Sequence, residues 1–152
     1  MTSALLFVGG GFLLAVLWFD LMFDVQMLGT DAGVAALGSI AAYYRRVTTE
    51  AAPMNHLVAA VMMTILVASL LDVARARDRR KLRVAAFLLA AAPITLATVR
   101  VFPNAVILGQ EAVPDSAQIA LARAILRDHL ACLASILGFL AVRFGLAVGS
   151  GK

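Results

Sequence analysis

The feature that most constrains this chain is where its charges are absent. They avoid four long apolar stretches, 4–28, 54–71, 84–108 and 130–148, and gather at the ends of those stretches. Each stretch is long enough to cross a hydrocarbon core as a helix. A chain with this pattern is expected to be all-α: an integral membrane four-helix bundle in the lipid bilayer, with short connections.

Composition leaves little room for anything else. Of 152 residues, 62% are apolar and 14% charged, so one transmembrane domain, 1–152, uses nearly the whole chain. A net charge of +4 raises the question of nucleic acid. The excess sits in one short loop between apolar stretches, which argues against that partner. The one cysteine, Cys132, falls inside the fourth stretch, which rules out an intrachain disulfide framework. The opening residues lack the basic region of a cleavable signal, so the first stretch is expected to be a retained span.

Charge also sets the topology. The loop after the second stretch carries Arg75, Arg77, Arg79, Arg80, Lys81 and Arg83, and such an excess marks the cytoplasmic side. Both termini then lie inside, with Arg143 and Lys152 adding to the positive face. The other face holds Arg45, Arg46, Arg100, Arg123 and Arg127 against seven acidic residues, Asp31 among them. In a bacterium this describes an inner (plasma) membrane protein. A eukaryotic organelle would suit the same topology.

Several local signals refine the picture. Small residues four apart, Gly11 and Ala15, Ala60 with Thr64 and Ala68, Ala134 and Gly138, and Ala141 and Gly145, are expected to let helices approach closely, within the bundle or in a homo-oligomer. Gly29 is expected to end the first helix. Val34, Leu37, Ile40 and Tyr44, with Asp31 near the start, predict a short amphipathic helix on the outer surface, with Tyr43 and Tyr44 at headgroup level. Thr48 or Thr49 is a candidate cap for the second span, Pro93 predicts a kink in the third, and Pro103 a bend or end. Asp115 and Gln118 have capping-box spacing at the start of the fourth helix.

The ionisable residues within or beside the spans collect at the outer end: Asp20 and Asp24 one turn apart, His56, Arg100, and Arg127-Asp128-His129. The inner halves supply mainly Thr64, Ser69 and Thr95, with Asp72 at the rim. Ionisable groups at membrane depth are costly and usually face a partner. Three readings follow. Asp20–Arg100 and Asp24–Arg127 pairs would tie the helices together. Alternatively, His56 and His129, with Asp20 or Asp24, would hold haem or a first-row metal such as iron or copper. In the third reading, Arg100, Arg127 and Arg45 would hold the head of a small lipophilic ligand, against Trp18, Phe19, Phe23 and Phe102.

A glycine-rich first span, Tyr43-Tyr44-Arg45-Arg46 leading to a second span with Asn55 near its start, a basic inner loop, and Arg127-Asp128-His129 opening the fourth span together resemble the anthrone-oxygenase-like group of small membrane proteins. That resemblance implies oxidation of a polycyclic phenolic substrate. The chain departs from the group in lacking its Asn-Pro and tryptophan-rich features. Membrane glutathione transferases share the span count, but Arg46, Glu50 and Asn55 do not reproduce their motif order. The leading expectation is an oxidoreductase or oxygenase-like enzyme acting on a small lipophilic molecule. His56 and His129 would be metal ligands, Asp20 and Asp24 catalytic, and Arg100, Arg127 and Trp18 substrate-binding. A non-enzymatic scaffold subunit and a transporter or proton channel are the alternatives.

Overall fold

The computed structural model describes residues 2–29 and 34–149, which are helical apart from short turns. In chain order they form α1 (Thr2–Asp24) with a 3₁₀ turn (Val25–Leu28), α2 (Val34–Arg45) with a π-helical turn (Arg46–Glu50), and α3 (Ala52–Ala74). After these come α4 (Arg80–Leu96), a second π-helical turn (Ala97–Val101), α5 (Phe102–Gly109) and α6 (Asp115–Val148). Four helical runs are long and apolar enough to cross a membrane, Ser3–Leu28, Pro53–Ala74, Arg80–Gly109 and Asp115–Val148. They fit an integral membrane protein. Asp31 and Lys152 lie outside the described residues.

α1 packs against α3 and α6, and α4 packs against the same two helices. Among the described residues neither diagonal pair makes backbone contact, so the spans form a square. α1 runs antiparallel to α6, since Asp24 meets His129 at one end while Ser3 meets Arg143 at the other. The start of α1, the α3–α4 loop and the end of α6 therefore share one end of the bundle.

A spacing of three and four residues builds this square. On α6 the buried residues include Gln118, Ala122, Ile125, His129, Cys132, Ile136, Phe139, Arg143 and Leu146, an unbroken heptad seam. On α1 the seam runs through Leu6, Gly10, Leu13, Leu17, Leu21 and Asp24. His129, Arg143 and Asp24 thus occupy the same inward stripes as the apolar core, and their polar ends must find partners inside the protein.

The third span breaks its own stripe. Ala86, Ala90 and Pro93 face inward, and regular spacing would carry Arg100 in after Ala97. The π-helical turn at Ala97–Val101, in which the Phe102 N–H donates to the Ala97 carbonyl, adds one residue. It turns Val101, Ala105 and Leu108 inward instead. Pro103 follows immediately and lacks an N–H, which favours a changed hydrogen-bond pattern just ahead of it. The irregularity therefore falls after Pro93 and not at it, while the helix continues past Pro103 to Gly109.

Close helix approach falls only in part where the small-residue spacings suggest, at Gly138, whose Cβ would meet Leu89 at 3.5 Å, and at buried Ala68. A Cβ on Gly9 would lie 2.9 Å from Ile65, and one on Gly10 2.8 Å from Leu140, whereas Gly11 and Gly145 face open space. The tightest contact with backbone is at Gly109, where a Cβ would lie 2.7 Å from the backbone nitrogen of Arg45. This contact seats α2 on α5. Leu37, Ile40, Ala41 and Tyr44 are buried, so α2 turns its apolar face onto the bundle end and not onto lipid. Thr48 and Thr49 donate back to the Tyr44 and Arg45 carbonyls and do not cap α3. α6 does begin at Asp115, with the Gln118 amide donating to the Val113 carbonyl.

The basic end is not bare of buried charge. Asp72 accepts hydrogen bonds from Arg83 and from Arg143, each at 2.5 Å. Arg143 is buried and also reaches Ser3 at 3.5 Å.

Candidate functional site

At the opposite end, the α1 and α6 seams converge under α2. Asp24 is fully buried. Its Oδ1 accepts a hydrogen bond from the Tyr44 hydroxyl at 2.7 Å, and its Oδ2 lies 2.5 Å from His129 Nδ1. A carboxylate can only accept, so Nδ1 carries the proton and donates. The other ring nitrogen, Nε2, is turned toward Asp20. Asp20, one turn earlier on α1, accepts from the Tyr43 hydroxyl at 2.6 Å. Its other oxygen stands 3.9 Å from His129 Nε2, beyond hydrogen-bond range.

The two tyrosines come from α2 and were not assigned to the site on sequence grounds. Tyr43 stacks on Phe23 with centroids 4.0 Å apart and bonds Asp20, while Tyr44 is buried over Asp24. Burial first, and the neighbouring carboxylates second, push both phenol groups above the ordinary tyrosine range. Both therefore stay hydroxyl donors.

Below the cluster lies a cavity of about 80 Å³, bounded by all four spans. Asp20 and His129 are part of its wall, and the remainder is largely apolar, including Leu13, Met62, Pro93 and Phe139. Small residues at facing seam positions, Gly10, Ala90 and Ala97, leave this space. Its α6 wall is fully buried, whereas Val16, Val58, Met62 and Ala97 on the margin are partly exposed. Within α3, Ile65, Ala68 and Ser69 are buried, all in the half away from the cluster. The cluster-side half of α3 is less buried, and its Val58 and Met62 form the partly exposed margin of the cavity. Cys132 lines the cavity one turn below His129, its thiol 3.7 Å from the Pro93 carbonyl.

The other expected site residues go elsewhere. Arg100 does not pair with Asp20. The π-helical turn sends it outward, where its Nε lies 3.1 Å from Asp128. Arg127 pairs with Asp128 at 3.6 Å and not with Asp24. Neither arginine lines the cavity. Trp18, Phe19 and Phe102 are exposed. They face outward as lipid-contacting groups would, and Trp18 and Phe19 border a shallow apolar groove with Gly11 and Ala15. His56 is exposed at the start of α3, while His129 is buried, so the two histidines do not form a pair. Among the described residues no group of three or more His, Cys, Asp or Glu side chains is placed to hold a metal. With His56 exposed and His129 buried beside Asp24, the expected two-histidine ligand set is not assembled.

One sequence signal points at His129. It stands seven residues after Ala122 and seven before Ile136, and so belongs to the apolar seam. Comparison with known proteins finds no matching family model, curated sequence or solved structure.

Proposed function

We propose that this is a small integral membrane enzyme that moves a proton to or from a small lipophilic molecule at His129. The observation that carries the reading is that His129 and Asp20 line a largely apolar cavity bounded by all four spans. A pair made only to tie helices together gains nothing from facing a cavity. The chain's fixed-charge pairs, Asp72 with Arg83 and Arg143, and Asp128 with Arg100, use arginine, which stays protonated. The cavity cluster uses groups that exchange protons. In this reading Asp24 orients the ring and fixes its tautomer, the logic of a histidine held by a buried carboxylate. Nε2 accepts the proton from an acidic C–H or O–H, and Asp20 faces the same space as the exchange partner. Tyr43 and Tyr44 position the two carboxylates.

The oxygenase-like outcome suggested by the family resemblance adds one requirement. Dioxygen would have to take electrons from the deprotonated substrate, for which the residues here supply the deprotonation. We place the basic end on the cytoplasmic side from its arginine and lysine excess, which in a bacterium makes this an inner-membrane protein. A scaffold role is the second reading, supported by the structural ion pairs. A proton channel ranks last, because Leu6, Leu13, Ile136 and Phe139 are buried between the two polar ends.

The test is hydrogen–deuterium exchange at carbon in lipophilic alkyl aryl ketones, with the protein in lipid nanodiscs. Wild type should accelerate exchange by about 10²–10⁴-fold, the usual range for a positioned base. His129→Gln should lose the acceleration and Arg127→Gln should keep it. A folded His129→Gln that exchanges as fast as wild type would leave the scaffold reading standing.

A further inference from the structure

We infer that the basic end of the bundle is a binding site for a phosphate group, independent of the proton-transfer cluster at the other end. Asp72 on α3 is the shared acceptor of Arg83 on α4 and Arg143 on α6. Two guanidinium groups, always charged, meet one carboxylate and leave one positive charge in excess. The excess is not dispersed into water, because the side chains of Arg143 and Arg83 are only 4% and 20% exposed. Asp78 approaches Arg83 at 3.7 Å but is largely exposed, where a pair contributes little.

Unused donors mark the same place. Among the described residues, the Nε atoms of Arg83 and Arg143 are both buried without a hydrogen-bond partner. Leaving a buried N–H of a charged group unmade is costly. A group that brings negative charge and several acceptor oxygens removes both deficits, and phosphate matches the planar donor array of arginine. Arg100 and Arg127 also share one carboxylate, Asp128, but they are about half exposed or more, so water completes them.

Access comes from the rim. Arg83 is the more exposed of the pair and adjoins the loop bearing Arg75, Arg77 and Arg79, which raises the local anion concentration. Arg79, held in left-handed backbone at φ 47°, donates to the Gly149 carbonyl at 3.0 Å and ties this loop across the end of α6. The phosphate can belong to an anionic phospholipid headgroup or be a free ion. The chemistry at the guanidinium groups is the same.

The experiment is thermal unfolding of the detergent-purified full chain with phosphatidylglycerol, phosphatidylcholine or inorganic phosphate added at matched concentration. Phosphatidylglycerol should raise the unfolding temperature by about 5 °C or more at near-saturation, and phosphatidylcholine should do less. An equal rise with inorganic phosphate identifies a free-ion site, and a rise with the lipid alone identifies a headgroup site. Arg83→Gln should lose the effect, while Arg127→Gln, an exposed change at the opposite end of the bundle, should keep it. Equal loss in both variants, or no difference between the two lipids together with no rise in inorganic phosphate, overturns the site. Should Arg83→Gln fail to fold, native mass spectrometry of wild type decides. Preferential retention of phosphatidylglycerol supports the site, and equal retention of both lipids overturns it.

Discussion

His129 Nδ1 lies 2.5 Å from Asp24 Oδ2, joining α6 to α1 at a point where Asp24 has no exposure to solvent. That contact fixes the tautomer of the ring and turns Nε2 toward Asp20 and the cavity. It also makes Asp24, and not the more accessible Asp20, the stricter structural residue.

Asp24→Ala is expected to destabilise the protein by about 1–3 kcal/mol for each buried donor it leaves without an acceptor. It strands both the Tyr44 hydroxyl and the His129 Nδ1–H. Asp20→Ala should cost less, because Asp20 is partly exposed and holds a single short hydrogen bond. Denaturant unfolding of both variants in detergent checks the order. A larger loss at Asp20 would contradict it.

The tyrosines predict an alkaline limit. Their folded-state pKa values are raised above the ordinary 10.0 by burial and by the carboxylates. The native protein therefore holds two protons that the unfolded chain releases as pH rises past about 10. Stability from this source is intact below pH 10 and falls as pH climbs above it. Unfolding measured between pH 8 and 11.5 should show the decline, and a Tyr43→Phe, Tyr44→Phe double variant should show a shallower one.

Gly109 should tolerate no side chain. Gly109→Ala puts a methyl group 2.7 Å from the Arg45 backbone and should cost about 1–3 kcal/mol, as overpacking does. By moving α2 it should also loosen Tyr43 and Tyr44 from the carboxylates. Gly11→Ala enters open space and should be neutral or stabilising by up to about 1 kcal/mol. Paired melting curves test the contrast.

Cys132 reports on the cavity. A small apolar maleimide added to nanodiscs should label this thiol faster than a charged maleimide of similar size. Ala97→Phe, on the partly exposed margin, should slow the apolar reagent at least several-fold without changing the helical circular dichroism. Equal labelling by both reagents would place the opening toward water and not toward lipid.

The four spans, their order and the short connections were legible in the residues, because a bilayer-length run of apolar side chains admits few other solutions. So was the gathering of ionisable groups at one end. The heptad phase of α6 was also present in the sequence, in Ile125, Cys132, Phe139 and Leu146, and it carries His129 and Arg143 inward.

What the residues left open was the rotation and register of each helix against its neighbours. One added residue in the π-helical turn at Ala97–Val101 moved Arg100 from the seam to the rim and left Asp20 to Tyr43. The bare backbone of Gly109 seated α2 so that Tyr43 and Tyr44, not arginines, met the two aspartates. Local sequence encodes which residues share a face. Which faces meet depends on packing between segments far apart in the chain, and that was decided only in the assembled bundle.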